Sequence, residues 1–140
     1  MTAKHLDLLA VARHYGTYPY EAYLFLLEAL DYTQRTLHRQ QAHGPHDGHV
    51  SGFELSHGVR RYANECFGLL ASTVLRRWGI KTTDDIGKII FNLIEAGILC
   101  KSDHDSPADF HAVFDLHRAL TDEYEIVLPE PPEPSRWVLP

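Results

Sequence analysis

The stretch from Thr82 to Leu99 constrains the fold of this chain more than any other part. Its apolar residues recur at i, i+3, i+4, i+7 and i+8, which is the spacing of one buried helix face. Thr82 and Asp85 can form a capping box at the start of the helix, and Gly97 is suited to end it. The pattern therefore predicts an amphipathic helix packed against a core. Its buried face would consist of Ile86, Ile89, Ile90, Leu93 and Ile94.

Two short apolar runs follow this helix and predict a β-hairpin. Ile98–Cys100 and Phe110–Leu116 lie on either side of the polar loop Ser102–Asp109. A helix followed by strand, loop and strand is typical of the closing half of a winged-helix module. The residues from Phe110 also fit helical spacing, so both readings stay open there. We expect a strand to about Phe114 and a short helix from Asp115.

Four further helices are predicted earlier in the chain, at about 6–15, 19–39, 51–67 and 69–78. The second is apolar on nearly all sides from Tyr20 to Leu30 and should be the central helix. Ser51 and Glu54 predict a capping box for the third. The expected fold class is mainly α, a helical domain with a winged-helix-like C-terminal half that adds a small β-hairpin. We expect one domain over residues 1–128, with 51–116 as the winged-helix-like portion.

Composition predicts an ordinary cytoplasmic protein. Of the 140 residues, 44% are hydrophobic and 23% are charged, as in soluble globular domains. No signal peptide and no membrane-spanning stretch are indicated by the sequence. Two cysteines do not form a disulfide framework, and Cys66 is expected to be a small buried thiol on the third helix.

The net charge of −6 is unevenly distributed along the chain. Residues 1–81 hold nine Lys and Arg against seven Asp and Glu, whereas residues 82–140 hold four against twelve. Because phosphate backbones attract positively charged faces, this balance argues against nucleic-acid binding. A winged-helix DNA-binding regulator remains an alternative that would need the basic residues of the first half. These are Arg60, Arg61, Arg76, Arg77 and Lys81.

Four blocks of residues carry a resemblance to a known family. They are Tyr20-Glu21-Ala22-Tyr23, then His49-Val50-Ser51-Gly52 leading to Glu54-Leu55, then Trp78-Gly79-Ile80, and finally Thr83–Gly97. With these blocks the chain resembles a small bacterial family of conserved hypothetical proteins, known mainly from planctomycete and verrucomicrobial lineages. The family's usual aromatic residue is replaced here by Ile86. The resemblance implies no activity, and the family pattern includes neither the His-rich loop nor the Pro-rich tail described next.

Histidines suggest a weak metal site. His43, His46 and His49 are spaced by three in a glycine- and proline-containing loop, and imidazole binds zinc, nickel or copper well. His57 is a further candidate ligand. A flexible loop that captures a divalent ion adventitiously is the plainer interpretation. We predict no cofactor, and a metal-dependent enzyme built on these histidines is the least favoured hypothesis.

No catalytic constellation is evident in the sequence. Glu28 lies in the most apolar helix and is expected to be a buried carboxylate satisfied by hydrogen bonds from Tyr32 or Arg35. Ser56 and His57 are adjacent on a helix and so cannot face each other. The chain is therefore expected to be non-enzymatic.

The expected function is protein–protein interaction or regulation, through a protein partner or self-association. One candidate surface is the outer face of the Thr82–Leu99 helix, with Asp84, Lys88 and Asn92. The other is the proline-rich tail, residues 129–140, where Trp137, Val138 and Leu139 form an apolar tag. Because such a tag is unfavourable in water, we expect it to dock on its own domain or on a neighbouring copy, forming a dimer in the second case.

Overall fold

The computed structural model describes residues 3–40, 50–100 and 106–122, with side chains described for 7–37 in the first of these ranges. This part of the chain is mainly α-helical, as predicted. In chain order its elements are α1 (Ala3–Tyr15), α2 (Tyr20–Gln40), α3 (Gly52–Phe67), a 3₁₀ turn (Gly68–Leu70), α4 (Ala71–Arg77), α5 (Thr83–Glu95), a second 3₁₀ turn (Pro107–Phe110) and α6 (Leu116–Asp122). The predicted fourth helix thus begins as a 3₁₀ turn.

The helix α2 lies at the centre of the fold. It packs against α1, α3 and α5, and its residues Ala22, Tyr23 and Leu26 are fully buried. A helix that is apolar on nearly all sides requires partners on several faces. The central position of α2 therefore follows directly from its sequence.

The helix α5 carries the predicted core face. Ile86, Ile89 and Leu93 are fully buried and Ile90 is nearly so, whereas Ile94 is only partly buried. Thr82 and Asp85 form the predicted capping box. Gly97 adopts a φ of 80°, which glycine tolerates without strain, and it ends the helix as expected.

The predicted winged-helix hairpin is wrong, because no β-strand occurs within residues 3–40, 50–100 and 106–122. Phe110 ends a 3₁₀ turn instead of starting a strand. Ser106 and Asp109 form a capping box around Pro107, and this local chemistry starts a helical turn. The Thr83 hydroxyl then donates to the Phe110 carbonyl at 2.7 Å and accepts the Val113 N–H at 3.2 Å. These two bonds hold the segment against α5, where the prediction had it paired with another strand.

Two glycines allow the helices to approach closely. A Cβ atom at Gly58 of α3 would lie 1.8 Å from Oγ1 of Thr33 in α2. A Cβ atom at Gly87 of α5 would lie 2.8 Å from the ring of Phe110. Both positions therefore depend on the absence of a side chain, and they set how near α2 lies to α3 and how near the second 3₁₀ turn lies to α5.

Two predictions about single side chains are wrong. Glu28 is exposed, because it lies on the edge of α2, where the Tyr62 hydroxyl of α3 donates to its carboxylate at 2.8 Å. Cys66 is also exposed, and both Cys66 and Cys100 are free thiols. By spacing Cys66 continues the stripe of Leu55, Val59 and Ala63, but it lies in the last turn of α3, one residue before the helix ends, and is exposed there. No helix among the described residues is long and apolar enough to cross a membrane.

Candidate binding surface

The outer face of α5 is largely engaged by other parts of the fold. The Asp84 carboxylate lies 3.1 Å from Nδ1 of His111, and the Asn92 amide donates to the Tyr23 hydroxyl at 3.0 Å. Lys88 is exposed. Of these three predicted interaction residues, Lys88 is therefore the one that the structure leaves most available to a partner.

Asp85 is held on this face by hydrogen bonds. Its carboxylate accepts the Tyr18 hydroxyl at 2.5 Å and the backbone N–H groups of Lys81 and Thr82 at 2.8 and 3.1 Å. Burial by itself would raise the pKa of Asp85, but these three donors outweigh it and lower the pKa below its ordinary value. Burial also raises the pKa of Tyr18, reinforced by the same carboxylate. The pair joins the start of α5 to the segment before α2.

The predicted histidine site is described only in part. His43, His46 and His49 lie outside the described residues, as do Trp137, Val138 and Leu139. His57 lies on α3. Within the part of the chain that the structure describes, no group of three or more His, Cys, Asp or Glu side chains is arranged to hold a metal ion.

His57 lies instead between two aromatic rings. Its centroid is 4.6 Å from that of Phe53, on the same helix, and 4.8 Å from that of Phe114, which precedes α6. These distances correspond to aromatic contact in tilted geometry. The imidazole therefore joins α3 to the segment that leads into α6, and a cavity lies on each side of it.

The first cavity, which we call the α2–α3 groove, has a volume of about 200 Å³. It lies beside the close approach of Thr33 and Gly58. Its walls are mostly apolar and aromatic, and Phe53, with 60% of its surface exposed, stands at its edge. The groove is lined by Tyr32, Thr33, Thr36, Leu37, Phe53, Glu54, His57, Gly58 and Arg61.

Two tyrosine–glutamate hydrogen bonds fix the helices that form this groove. The Tyr32 hydroxyl of α2 donates to Glu65 of α3 at 3.0 Å, and the Tyr62 hydroxyl of α3 donates to Glu28 of α2 at 2.8 Å. The two rings also contact each other, with centroids 5.2 Å apart. Burial, followed by the bond to glutamate, raises the pKa of both hydroxyls, so each stays a donor at neutral pH.

The second cavity, which we call the α3–α6 cleft, has a volume of about 350 Å³. Arg60 from α3 and Arg118 from α6 contribute two guanidinium groups, and Asp115 is the one carboxylate in its lining. The cleft is lined by His57, Arg60, Phe114, Asp115, Arg118 and Ala119. Its lining therefore holds two cationic side chains against one anionic side chain, although the whole chain has a net charge of −6.

A buried serine–histidine pair lies deeper in the fold. Oγ of Ser72 is 2.7 Å from Nδ1 of His117, and Nε2 of His117 is 2.9 Å from the Ile80 carbonyl oxygen. Ser72 and His117 are only 7% and 8% exposed. The pair thus links α4, the turn before α5 and α6, and neither described cavity includes it. Its geometry fits a structural crosslink rather than a nucleophile.

No protein-family model, curated protein or solved structure matches this chain. The resemblance to the planctomycete and verrucomicrobial family therefore stays a prediction from the sequence.

Sequence reasoning missed two residues of the surface around His57. Phe53 lies two positions from Leu55, which places it on the opposite side of α3 from the core stripe. This spacing was a usable signal for an exposed aromatic. Arg118 belongs to a helix whose position against α3 depends on the tertiary fold, so no local signal places it beside Arg60.

Proposed function

We propose that this protein is a non-enzymatic binding module that holds an apolar segment of a partner protein in the α2–α3 groove. The observation that carries the proposal is the exposure of Phe53 beside an open, mostly apolar groove. Burial of a phenylalanine side chain stabilises a contact by roughly 1.5–3 kcal/mol when it is complete. A partner side chain that covers Phe53 and enters the groove would gain part of this energy.

The rim of the groove favours a specific partner over general adhesion. Glu54, His57 and Arg61, all on the α3 side of the groove, add polar groups and both charge signs to its lining. Protein interfaces typically combine an apolar centre with a polar rim, and the rim favours partners that offer complementary hydrogen bonds. The chemistry therefore fits a short segment with one or two large apolar side chains flanked by polar residues.

The walls are held in place before a partner arrives. The hydrogen bonds Tyr32–Glu65 and Tyr62–Glu28 lie side by side and join α2 to α3 next to the groove wall that Tyr32 forms. A preformed groove loses little conformational entropy on binding, which leaves more of the contact energy for affinity. The winged-helix DNA-binding alternative has no comparable support in the described fold, because its hairpin is missing there.

Phe53→Ser tests this proposal, with Leu69→Ser as the matched control. Leu69 is 66% exposed on the 3₁₀ turn after α3, so both changes replace an exposed apolar side chain by the same polar one. Wild-type and variant proteins would be used for quantitative affinity capture from a lysate of the source cells, and their melting curves would establish that all are folded.

We expect at least one protein to be retained by the wild type and by Leu69→Ser but lost from Phe53→Ser. A second copy of this chain that shows the same dependence in a sizing experiment also supports the proposal. If no polypeptide depends on Phe53 in this way, the groove is not a protein-binding site.

A further inference from the structure

The lining of the α3–α6 cleft carries more positive than negative side chains, in contrast to the acidic chain as a whole. The protein as a whole has a net charge of −6, yet the cleft lining holds two arginines and one aspartate, with His57 beside them. At physiological salt, charges separated by more than about 8 Å are largely screened from each other. Within that distance the cleft lining holds Arg60, Arg118 and Asp115, and Asp122, which lies outside the lining, pairs with Arg118.

Asp115 does not cancel this charge completely. Its carboxylate accepts the backbone N–H of Arg118 at 3.2 Å, and it therefore helps to satisfy the first turn of α6. This neutral donor leaves the charge of the carboxylate in place, so the lining holds two guanidinium groups against one carboxylate.

Arg118 can be redirected into the cleft at low cost. Its Nε lies 3.5 Å from the Asp122 carboxylate, one turn further along α6, and both side chains are mostly exposed. Such exposed pairs contribute between about 0 and 1 kcal/mol. A ligand that accepts hydrogen bonds from Arg118 would therefore replace a weak interaction.

We propose that the α3–α6 cleft is a binding site for an oxyanion, a phosphate or carboxylate group gripped by Arg60 and Arg118. Guanidinium groups donate paired hydrogen bonds to the oxygens of such groups, and these charge-assisted bonds are stronger than neutral ones. The volume of about 350 Å³ leaves room for the group together with part of the molecule that carries it. The site is separate from the α2–α3 groove, although His57 borders both. The proposed anion site does not depend on whether the groove binds a partner.

The test is a titration of the full chain with inorganic phosphate and, separately, with acetate. Backbone amide spectra would be recorded at constant ionic strength, adjusted with sodium chloride. We expect saturable shifts at residues 57, 60, 118 and 119 with at least one of the two anions. Stronger binding of phosphate identifies phosphoryl chemistry, whereas equal or stronger binding of acetate identifies a carboxylate ligand.

Arg118→Gln and Arg35→Gln form a matched pair for this titration. Both arginines are exposed and pair with an aspartate four residues away on the same helix, but Arg35 lies outside the cleft lining. Arg118→Gln should weaken binding by about tenfold or more, because it removes charge-assisted hydrogen bonds, and Arg35→Gln should leave it unchanged. Absence of saturable shifts with both anions, or equal weakening in the two variants, would overturn the site. Phe53→Ser should bind the anion normally, which separates this result from the outcome for the groove.

Discussion

The Ser72 hydroxyl donates a hydrogen bond to Nδ1 of His117 across 45 residues of sequence, at a distance of 2.7 Å. Nε2 lies 2.9 Å from the Ile80 carbonyl oxygen, which can only accept, so Nε2 carries a proton. Burial lowers the pKa of His117, so the ring is neutral at neutral pH and Nδ1 accepts the bond from Ser72.

This neutral histidine makes stability depend on pH. Burial lowers the pKa of His117 below its ordinary value of 6.5, whereas the same group in the unfolded chain titrates near that value. The stability that neutral His117 provides is therefore present above about pH 6.5 and is lost as the pH falls below it, because only the unfolded state then takes up the proton. For one proton, the free energy of unfolding changes by at most about 1.4 kcal/mol per pH unit.

The measurement is urea unfolding of the wild type and His117→Gln between pH 8 and pH 5. Since the other histidines are common to both proteins, the difference in the free energy of unfolding isolates His117. We expect the wild type to be more stable at pH 8 and its advantage to shrink toward pH 5. An advantage that stays constant over this range would show that His117 does not titrate as proposed.

Tyr18→Phe should reduce the free energy of unfolding by about 1.5–3 kcal/mol, the usual range for a hydrogen bond to a charged group. The lost hydroxyl is the one that donates to Asp85. The pKa of Asp85, measured by NMR, should rise in the variant because one of the donors that lower it is gone. Tyr20→Phe is the control, since no hydrogen bond of the Tyr20 hydroxyl is seen within the described structure. Equal effects of the two substitutions on the Asp85 pKa would contradict the assigned bond.

Gly58→Ala should destabilise the protein by about 1–3 kcal/mol, although alanine favours helices. The new methyl group would meet the Thr33 side chain at 1.8 Å, so α2 and α3 would have to separate. Thr33→Ala in the same chain removes the nearest atoms and should restore part of the loss in a denaturant melt. A Gly58→Ala protein as stable as the wild type would mean that the two helices lie further apart than described.

Leu93→Ala should cost about 2–5 kcal/mol, as truncations of fully buried leucines do. Leu93 lies at the centre of the predicted face of α5 and has no exposed surface. Leu69→Ala removes the same atoms from an exposed position and should cost less than about 0.5 kcal/mol. Chemical denaturation measures the free energy of unfolding of both variants. A loss of less than about 0.5 kcal/mol for Leu93→Ala would show that this face of α5 is not part of the core.

Local sequence signals predicted the helices well because those signals are short-range. The capping boxes at Ser51 and Thr82 and the turn at Gly97 each depend on residues within a few positions, and all are present. The spacing of isoleucines predicted the buried face of α5 for the same reason. The central position of α2 followed from the large apolar fraction of its surface.

The hairpin was mispredicted because two local patterns fitted Phe110–Leu116 equally well. The capping box of Ser106 and Asp109 starts the turn locally, and the Thr83 hydroxyl, 27 and 30 residues away in sequence, holds Phe110 and Val113 in place. The surface around His57 depends on the same kind of distant contact, since Phe114 contacts His57 where α6 and the segment before it pack against α3. Local spacing can show that Phe53 is exposed, but it cannot show which cavity lies beside it.

The most direct test of the proposed partner groove is photo-crosslinking from position 53. Phe53 would be replaced by p-benzoylphenylalanine, which keeps an apolar aromatic side chain at the edge of the groove, and the same replacement at Leu69 would serve as the control. After irradiation in the source cells, crosslinked products would be identified by mass spectrometry. We predict that position 53, and not position 69, crosslinks to a second polypeptide, either another protein or a second copy of this chain. Crosslinks from position 53 that stay within one chain, or yields no higher than those from position 69, would contradict the proposal.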